Sequence, residues 1–260
     1  MDYFAKIAEE PQDDLTWNIP EQKQGIVNVI GGNSQAFKTA IKVAEFLLAH
    51  YPIKTVNAVL PDALKNQLPP LLNLQFLSST DSGSFLDAEE LKHCLQSADF
   101  NLLLGDFSKN AITMQAVASA CESSEKPLLI TRDAVDLIIS TYPEKVLLND
   151  KIIWLASMAQ LQKLLRAIYY PKMLLLSQSL VQASEVLHKF SLSYPVSLIT
   201  LHNDQILVAK NGLVRALPLA RSGYTPIFFW QGELAAKIVA MNLYNPDNFI
   251  NATVAGILNT

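Results

Sequence analysis

The sequence predicts a three-layer α/β protein with a mostly parallel central sheet and helices on both of its faces. Short apolar, β-branched runs alternate with amphipathic segments from residue 25 onward, which is the pattern of parallel sheets covered on both sides. Glycine supplies only 9 of the 260 residues, about half of the ~7% share that is typical of domains. Strands and helices disfavour glycine, so a domain built largely of them needs few.

The first strand–helix–strand unit lies within residues 25–60. Residues 26–30 form a β-branched run that ends at two glycines and predicts a buried strand. Residues 34–50 carry apolar side chains at i, i+3 and i+4 spacing and predict an amphipathic helix. Residues 55–60 predict the next strand, which ends before a proline. This order predicts two parallel neighbouring strands joined by a right-handed connection.

The alternation continues to the end of the chain. Asp87, with a glutamate at the third helical position, predicts a capped helix that runs through Cys94. Asn211-Gly212 between two apolar runs predicts a hairpin. Further strands are predicted at 100–104, 127–131, 152–155, 196–201, 205–210 and 213–217. Further helices are predicted at 111–122, from 133 onward, and at 158–169, 178–190, 231–244 and 247–258.

The bulk properties set expectations for organisation and partners. Residues 1–24 are polar and contain two prolines, so they are predicted to be a leader outside the sheet, and residues 25–260 are predicted to form a single domain. The net charge of −4 gives no electrostatic footprint for nucleic acid or an anionic membrane. No apolar run reaches ~18 residues without a charge. The acidic start lacks the apolar core of a signal peptide, which predicts a cytoplasmic protein.

Reactive residue types do not converge in the sequence. The two cysteines, Cys94 and Cys121, lack metal-ligand spacing and are expected to be buried and reduced. The four histidines form no HxH or HxxxH pair, so no metal site is predicted. The serines lack the GxSxG turn of a nucleophile elbow.

The candidate ligand-binding positions are the exits of the predicted strands, because ligands of open α/β sheets bind beyond the carboxyl ends of the strands. Gly31, Gly32, Asn33 and Ser34 follow the first strand and start its helix, where backbone amides suit an anion or a carbonyl. The alternative, which the sequence favours, is a tight turn in which Asn33 or Ser34 caps the helix.

Two carboxylates occupy comparable positions. Asp133 follows the strand at 127–131, where it would either contact a magnesium-bound water or a substrate hydroxyl, or cap the next helix. Glu233 opens the helix at 231–244, where it would either act as a base or interact favourably with the helix dipole. For Glu233 the sequence favours the structural role.

Four segments carry a family resemblance in the right order and spacing. Residues 25–62 match an opening strand, a Gly-Gly-Ser turn, an Ala-rich helix and a strand ending in Val-Pro-Glu. Residues 98–105 match a strand leading to Gly-Pro-Gly-Leu-Gly, and residues 127–137 match Pro-Leu-Val-Leu-Asp-Ala-Asp-Ala-Leu. Residues 231–238 fall where the pattern has Gly-Thr-Gly-Asp-Val-Leu-Ala-Gly-Ile. Over residues 20–258 the chain thus resembles the ADP/ATP-dependent NAD(P)H-hydrate dehydratases of the ribokinase-like superfamily.

The resemblance implies a ribokinase-like fold and a set of site residues. Members dehydrate hydrated NADH or NADPH at the expense of ADP or ATP with Mg²⁺, and homo-oligomers are common among them. The resemblance places nucleotide or substrate at Gly31, Gly32, Asn33, Ser34, Gly105, Asp133 and Gly232. It places the catalytic carboxylate at Glu233.

The chain departs from this family at the residues that would handle phosphate. Residues 228–231 are Phe-Phe-Trp-Gln where the family has glycines and a threonine, so that only Gly232 remains, and Glu233 replaces the catalytic aspartate. Residues 105–109 are Gly-Asp-Phe-Ser-Lys in place of Gly-Pro-Gly-Leu-Gly. Thr131 replaces the first aspartate of Asp-Ala-Asp, and residues 154–159 have lost the Thr-Pro-His-x-Gly-Glu motif.

Two hypotheses follow from these departures. The favoured one is a catalytically degenerate relative that is retained as a binding or assembly module, with a small-molecule nucleotide as one candidate ligand. The alternative is an active nucleotide-dependent dehydratase or small-molecule kinase that uses Glu233 as its base.

Overall fold

The computed structural model describes residues 3–6, 19–69, 73–141, 143–222, 225 and 230–258. These residues form one sheet of ten strands. In chain order the strands are β1 (Phe4–Lys6), β2 (Gln24–Gly31), β3 (Ile53–Pro61), β4 (Asn73–Leu77), β5 (Phe100–Gly105), β6 (Leu128–Thr131), β7 (Ile152–Leu155), β8 (Ser197–His202), β9 (Gln205–Lys210) and β10 (Leu213–Pro218).

The sheet is mostly parallel, as the sequence predicts. Its strand order is β1-β10-β9-β8-β7-β6-β5-β2-β3-β4. Only β9 runs antiparallel to its neighbours β8 and β10. The β9–β10 connection is the hairpin predicted from Asn211-Gly212, both of which have positive φ. The strand order reverses between β2 and β5, so these two strands are neighbours in the sheet although they are distant in the chain.

Helices cover both faces of this sheet within the described residues. They are α1 (Lys38–His50), α2 (Ala88–Gln96), α3 (Ala111–Glu122), α4 (Asp133–Ile139), α5 (Pro143–Leu147), α6 (Met158–Ala167), α7 (Leu180–Ser193), α8 (Glu233–Tyr244) and α9 (Phe249–Leu258). Buried apolar side chains form two clusters, one on each face. One cluster lies under α1, α8 and α9, and the other lies under α2 to α7. The prediction of three layers is therefore confirmed.

A row of asparagines runs from β5 to the edge strand β4. Asn101, Asn28, Asn57 and Asn73 occupy the same register on four adjacent strands. The Nδ2 of Asn28 donates to the carbonyl oxygen of Cys94 at 2.7 Å, and its Oδ1 accepts from Asn57 at 2.8 Å. The Nδ2 of Asn101 donates to the carbonyl oxygen of the next helical residue at 2.8 Å. These amides add hydrogen bonds to carbonyl groups in the last turn of α2, where the Cys94 carbonyl also accepts from the amide and the hydroxyl of Ser97.

Three sequence-based expectations need correction. Residues 4–6 of the predicted leader are not outside the sheet, because β1 pairs in parallel with β10. The strand β4, which pairs with β3, was not predicted. The first helix begins at Lys38, four residues later than expected. Asp87 does cap α2, by accepting from the amides of Glu89 and Glu90. The division at residue 24 remains a prediction.

Both cysteines are buried, as expected. Burial raises the pKa of the Cys94 thiol to about 12, with a smaller opposing effect of the hydrogen bond from Asn28. Burial likewise raises the pKa of Cys121, so neither thiol is ionised near neutral pH. Among the described helices, none has both the length and the apolar character needed to cross a membrane.

Candidate functional site

The candidate site lies where the strand order reverses. In open α/β sheets this switch point leaves a crevice beyond the carboxyl ends of the strands, where ligands bind. Here the carboxyl ends are Gly31 on β2 and Gly105 on β5, which pair with each other after a register shift between Ile30 and Gly31. The structure thus brings together the two glycine turns that the sequence singles out.

The two turns are in direct contact with each other at this point. The amide of Gly32 donates to the carbonyl oxygen of Gly105 at 2.8 Å. A Cβ on Gly31 would lie 2.7 Å from that same oxygen, which is closer than real Cβ contacts come. The Nδ2 of Asn33 donates to the carbonyl oxygen of Asp106 at 2.6 Å. The absence of a side chain at Gly31 is therefore required by packing within the chain.

The residues after Gly32 also bind the protein itself. The Oδ1 of Asn33 accepts from the amides of Gln35 and Ala36, at 2.8 and 3.1 Å. The amide of Ser34 donates to the carbonyl oxygen of Gly83 at 2.9 Å. Neither side chain caps α1, whose N-cap position is Phe37 without a side-chain hydrogen bond. The capping interpretation is therefore wrong in detail, although Asn33 does satisfy backbone amides of the turn.

The second turn holds the carboxylate of Asp133. Gly105 and Asp106 both have positive φ, of 97° and 59°. In this conformation the amide of Asp106 donates to Oδ1 and Oδ2 of Asp133, at 2.9 and 3.0 Å. A Cβ on Gly105 would overlap this carboxylate. Asp133 does not cap α4, since the N-cap position is Arg132. Its carboxylate instead occupies the backbone donor of the neighbouring turn.

The nearby Arg132 pairs with Asp106 rather than with the Asp133 carboxylate. The guanidinium of Arg132 forms an ion pair of 3.0 Å with Asp106, and Arg132 has a φ of 57°. Burial raises the pKa of Asp133 above its ordinary value, and the nearby charge of Asp106 adds to this effect. The amide of Asp106 and the charge of Arg132 oppose it without cancelling it.

This raised pKa predicts a pH dependence of stability. A carboxyl whose pKa is higher in the folded than in the unfolded chain favours folding below the unfolded value of about 3.9. That contribution is lost as pH rises through the folded pKa. Asp133→Asn removes this titration and keeps one acceptor oxygen for Asp106. We expect the free energy of unfolding of the variant to increase relative to that of the wild type between pH 4 and pH 7, because only the wild type loses this contribution. Urea unfolding at both pH values measures this, and an unchanged difference would contradict it.

Glu233 lies at a different cavity, which we call the α1–α8 cavity. It has a volume of about 410 Å³, and its lining includes Lys42, Arg132, Trp230 and Glu233. Glu233 is the exposed first residue of α8. One helical turn later, burial lowers the pKa of Lys237, and the charge of Glu233 opposes this shift. Two cations and one carboxylate around an aromatic side chain suit a small anionic ligand.

The glycine before Glu233 is also used for packing. Gly232 has a φ of 101°, and a Cβ there would lie 2.8 Å from the Cγ2 of Val43 on α1. The close approach of α8 to α1 therefore depends on this glycine. Phe228 and Phe229, which stand where the resembled family has its phosphate loop, lie outside the described residues. No group of three or more His, Cys, Asp or Glu side chains gathers in the described ranges in a way that could hold a metal.

The structure adds residues that the sequence did not single out. Arg132 and Lys42 line the α1–α8 cavity, and Asp106 connects Arg132 with Asp133 through its ion pair and its amide. Arg132 follows a strand directly, so the strand-exit rule could have identified it. Lys42 lies inside an amphipathic helix, where nothing in the sequence distinguishes it from other exposed lysines.

Solved structures of several proteins share this fold. A ribokinase-like superfamily protein from Enterococcus faecalis V583 gives a TM-score of 0.65 at 15% identity, over 99% of this chain and 86% of that one. The ADP/ATP-dependent NAD(P)H-hydrate dehydratase of Bacillus subtilis, co-crystallised with ATP and Mg²⁺, gives a TM-score of 0.60 at 9% identity, over 94% of this chain and 83% of that one. Adenosine kinase of Anopheles gambiae gives a TM-score of 0.55 at 11% identity, over 91% of this chain and 93% of that one. No protein-family model matches the sequence, and no curated protein matches it.

These similarities establish the ribokinase-like fold of this chain. They cover nearly the whole sequence, and the neighbours include a dehydratase and a kinase that act on or bind nucleotides. At identities of 9 to 15% they show the fold alone, because one fold hosts many activities. Activity has to be argued from the residues at the switch point and in the adjacent cavities.

Proposed function

We propose that this chain is a catalytically degenerate relative of the NAD(P)H-hydrate dehydratases, which binds a small molecule without transferring phosphoryl groups. One observation carries the proposal: the Asp133 carboxylate occupies the amide of Asp106 at the switch point. Phosphate-binding turns work because free backbone amides point at the ligand. At this turn the amide is already used by an anion of the protein, and that anion would repel a phosphate.

The remaining glycines support the same conclusion. Gly31, Gly105 and Gly232 each meet other parts of the chain at distances that exclude a Cβ. Each glycine therefore has a packing role that is sufficient to explain its presence. The described residues thus offer a poor fit to a nucleoside triphosphate with Mg²⁺.

A second candidate function has one observation in its favour. Glu233 shares the α1–α8 cavity with Lys42 and Arg132, so a carboxylate stands near cations that could hold an anionic group. In an active dehydratase or kinase, Glu233 would accept the proton and the cations would stabilise the transferring charge. In the degenerate protein the same cavity would hold the ligand without chemistry.

Nucleotide titration separates the two candidates. The thermal midpoint is measured with ADP, ATP, NADH and NADPH, each with and without Mg²⁺, and turnover of hydrated NADH is followed in the presence of ATP. For the degenerate protein we expect no turnover and no nucleotide-dependent rise. A ligand at a hundredfold excess over its Kd would add about 2.7 kcal/mol, which is a rise of roughly 5–10 °C for a chain of this size.

The variants make the result specific to the cavity. Glu233→Gln removes the candidate base, and Glu45→Gln, an exposed residue on α1, is the matched control. Turnover that Glu233→Gln abolishes and Glu45→Gln preserves would establish the active enzyme and overturn the degenerate assignment. Circular dichroism of both variants shows whether the loss comes from unfolding.

A further inference from the structure

A second cavity opens on the other face of the sheet, and we call it the α3–α4 cavity. It has a volume of about 320 Å³ and lies among the turn after β5 and the helices α3, α4 and α6. Its lining includes Phe107, Lys109, Met114, Asp133, Asp136 and Lys163. Neither Glu233 nor the glycine turn after β2 contributes to this lining.

The charges in the cavity are balanced but unequally paired. Lys163 forms an ion pair of 2.6 Å with Asp136, and the Nε2 of Gln160 donates to the same carboxylate at 2.7 Å. Burial opposes ionisation of Asp136, but these two donors and the charge of Lys109 outweigh it and hold the pKa below its usual value. Lys109 forms no hydrogen bond or ion pair within the described part of the chain. One pair is thus complete and one ammonium group is available.

The second carboxylate also has unused capacity. Asp133 accepts from the amide of Asp106 and from its own backbone amide, whereas an ionised carboxylate offers about four acceptor positions. Its partial burial without a cation in direct contact is costly. A ligand ammonium group beside it would reduce that cost. The cavity therefore presents an available cation and an incompletely paired anion.

An apolar wall completes the cavity. Phe107 is only 5% exposed and packs edge-on against Phe85, with ring centroids 5.5 Å apart, so its position is fixed. Met114 on α3 is partly buried beside it and offers an adaptable surface. A ligand that fits these features has one cationic group, one anionic group and an apolar body.

We propose that the α3–α4 cavity binds a free α-amino acid with an apolar side chain, with the carboxylate at Lys109, the ammonium at Asp133 and the side chain against Phe107 and Met114. A simple carboxylate would satisfy Lys109 but face two aspartates. A simple amine would satisfy Asp133 but leave Lys109 unpaired. This site goes beyond the proposed function, because it uses neither Glu233 nor the α1–α8 cavity.

Three ligands with the same apolar body test the assignment. L-Phenylalanine carries both charges, 3-phenylpropionate only the carboxylate, and phenethylamine only the ammonium. Isothermal titration of the full chain is expected to show binding of L-phenylalanine, with each single-charge analogue weaker by about tenfold or more. Equal binding of either analogue would overturn the zwitterion assignment. Absence of binding by both L-phenylalanine and L-leucine would overturn the site.

Two variants assign the charges to residues. Lys109→Gln is expected to weaken the binding of L-phenylalanine and of 3-phenylpropionate by at least about threefold and to leave the affinity for phenethylamine unchanged. Asp133→Asn is expected to weaken the binding of L-phenylalanine and of phenethylamine by about tenfold, whereas 3-phenylpropionate should bind at least as tightly as before. Lys65→Gln, at an exposed lysine outside the cavity, is the matched control. If Lys109→Gln instead weakened phenethylamine binding and Asp133→Asn weakened 3-phenylpropionate binding, the proposed orientation of the amino acid would be contradicted. Glu233→Gln should leave amino-acid binding intact, so failure of this proposal is distinguishable from failure of the proposed function.

Discussion

Gly105→Ala is expected to lower the free energy of unfolding by about 3 kcal/mol. A positive φ costs an L-residue about 1–2 kcal/mol, and Gly105 has a φ of 97°. The added Cβ would also overlap the Asp133 carboxylate, which sits against the turn because it accepts from the Asp106 amide. Either the carboxylate leaves the amide or the turn shifts, and both cost stability. Urea unfolding monitored by circular dichroism measures the loss.

Two further variants separate the two causes. Gly25→Ala has a comparable φ of 76°, but its Cβ would meet only the flexible end of Leu243. We expect this control to lose about 1–2 kcal/mol, which is the backbone cost alone. In the double variant Gly105→Ala/Asp133→Ala the overlap is absent, so the two losses should not add. Additive losses would show that the carboxylate does not occupy the space above Gly105.

Most of the fold could be predicted because its strands and helices carry their own signals. The runs at β2, β5 and β6 are apolar enough to be recognised without their neighbours, and β2 also carries several β-branched residues. β1 has only three residues, and its partner β10 lies about 210 positions away. Its strand conformation depends on that distant partner. β4 is an edge strand with a half-buried pattern that is weak in the sequence.

The position of the site was predictable, but its internal contacts were not. The strand-exit rule locates Gly31 and Asp133, and the family resemblance adds Gly105; the three lie close together. The bond from the Asp106 amide to Asp133 joins two segments in which Asp106 and Arg132, neither of them glycine, have positive φ. Such conformations are imposed by surrounding structure rather than by local preference. Sequence patterns therefore indicate where a ligand could bind, while tertiary contacts decide whether the protein occupies that place itself.

Asn28→Ala is expected to lower the free energy of unfolding by about 2 kcal/mol. Asn28 is fully buried, and its amide donates to the Cys94 carbonyl and accepts from Asn57. Each lost hydrogen bond costs about 1 kcal/mol, and the small cavity that remains adds to the loss. Because the Cys94 carbonyl belongs to the last turn of α2, hydrogen exchange should also become faster there.

The other end of the asparagine row provides the control. Asn73 lies in the same register on the edge strand β4, where its side chain is exposed. Asn73→Ala should change stability by less than about 0.5 kcal/mol. Equal losses at Asn28 and Asn73 would mean that the row stabilises strand pairing as such. A large loss confined to Asn28, with faster exchange at the end of α2, means that the amide acts by satisfying the helix. This would explain why a polar residue lies at the centre of an otherwise apolar strand, beside the switch point whose geometry depends on β2.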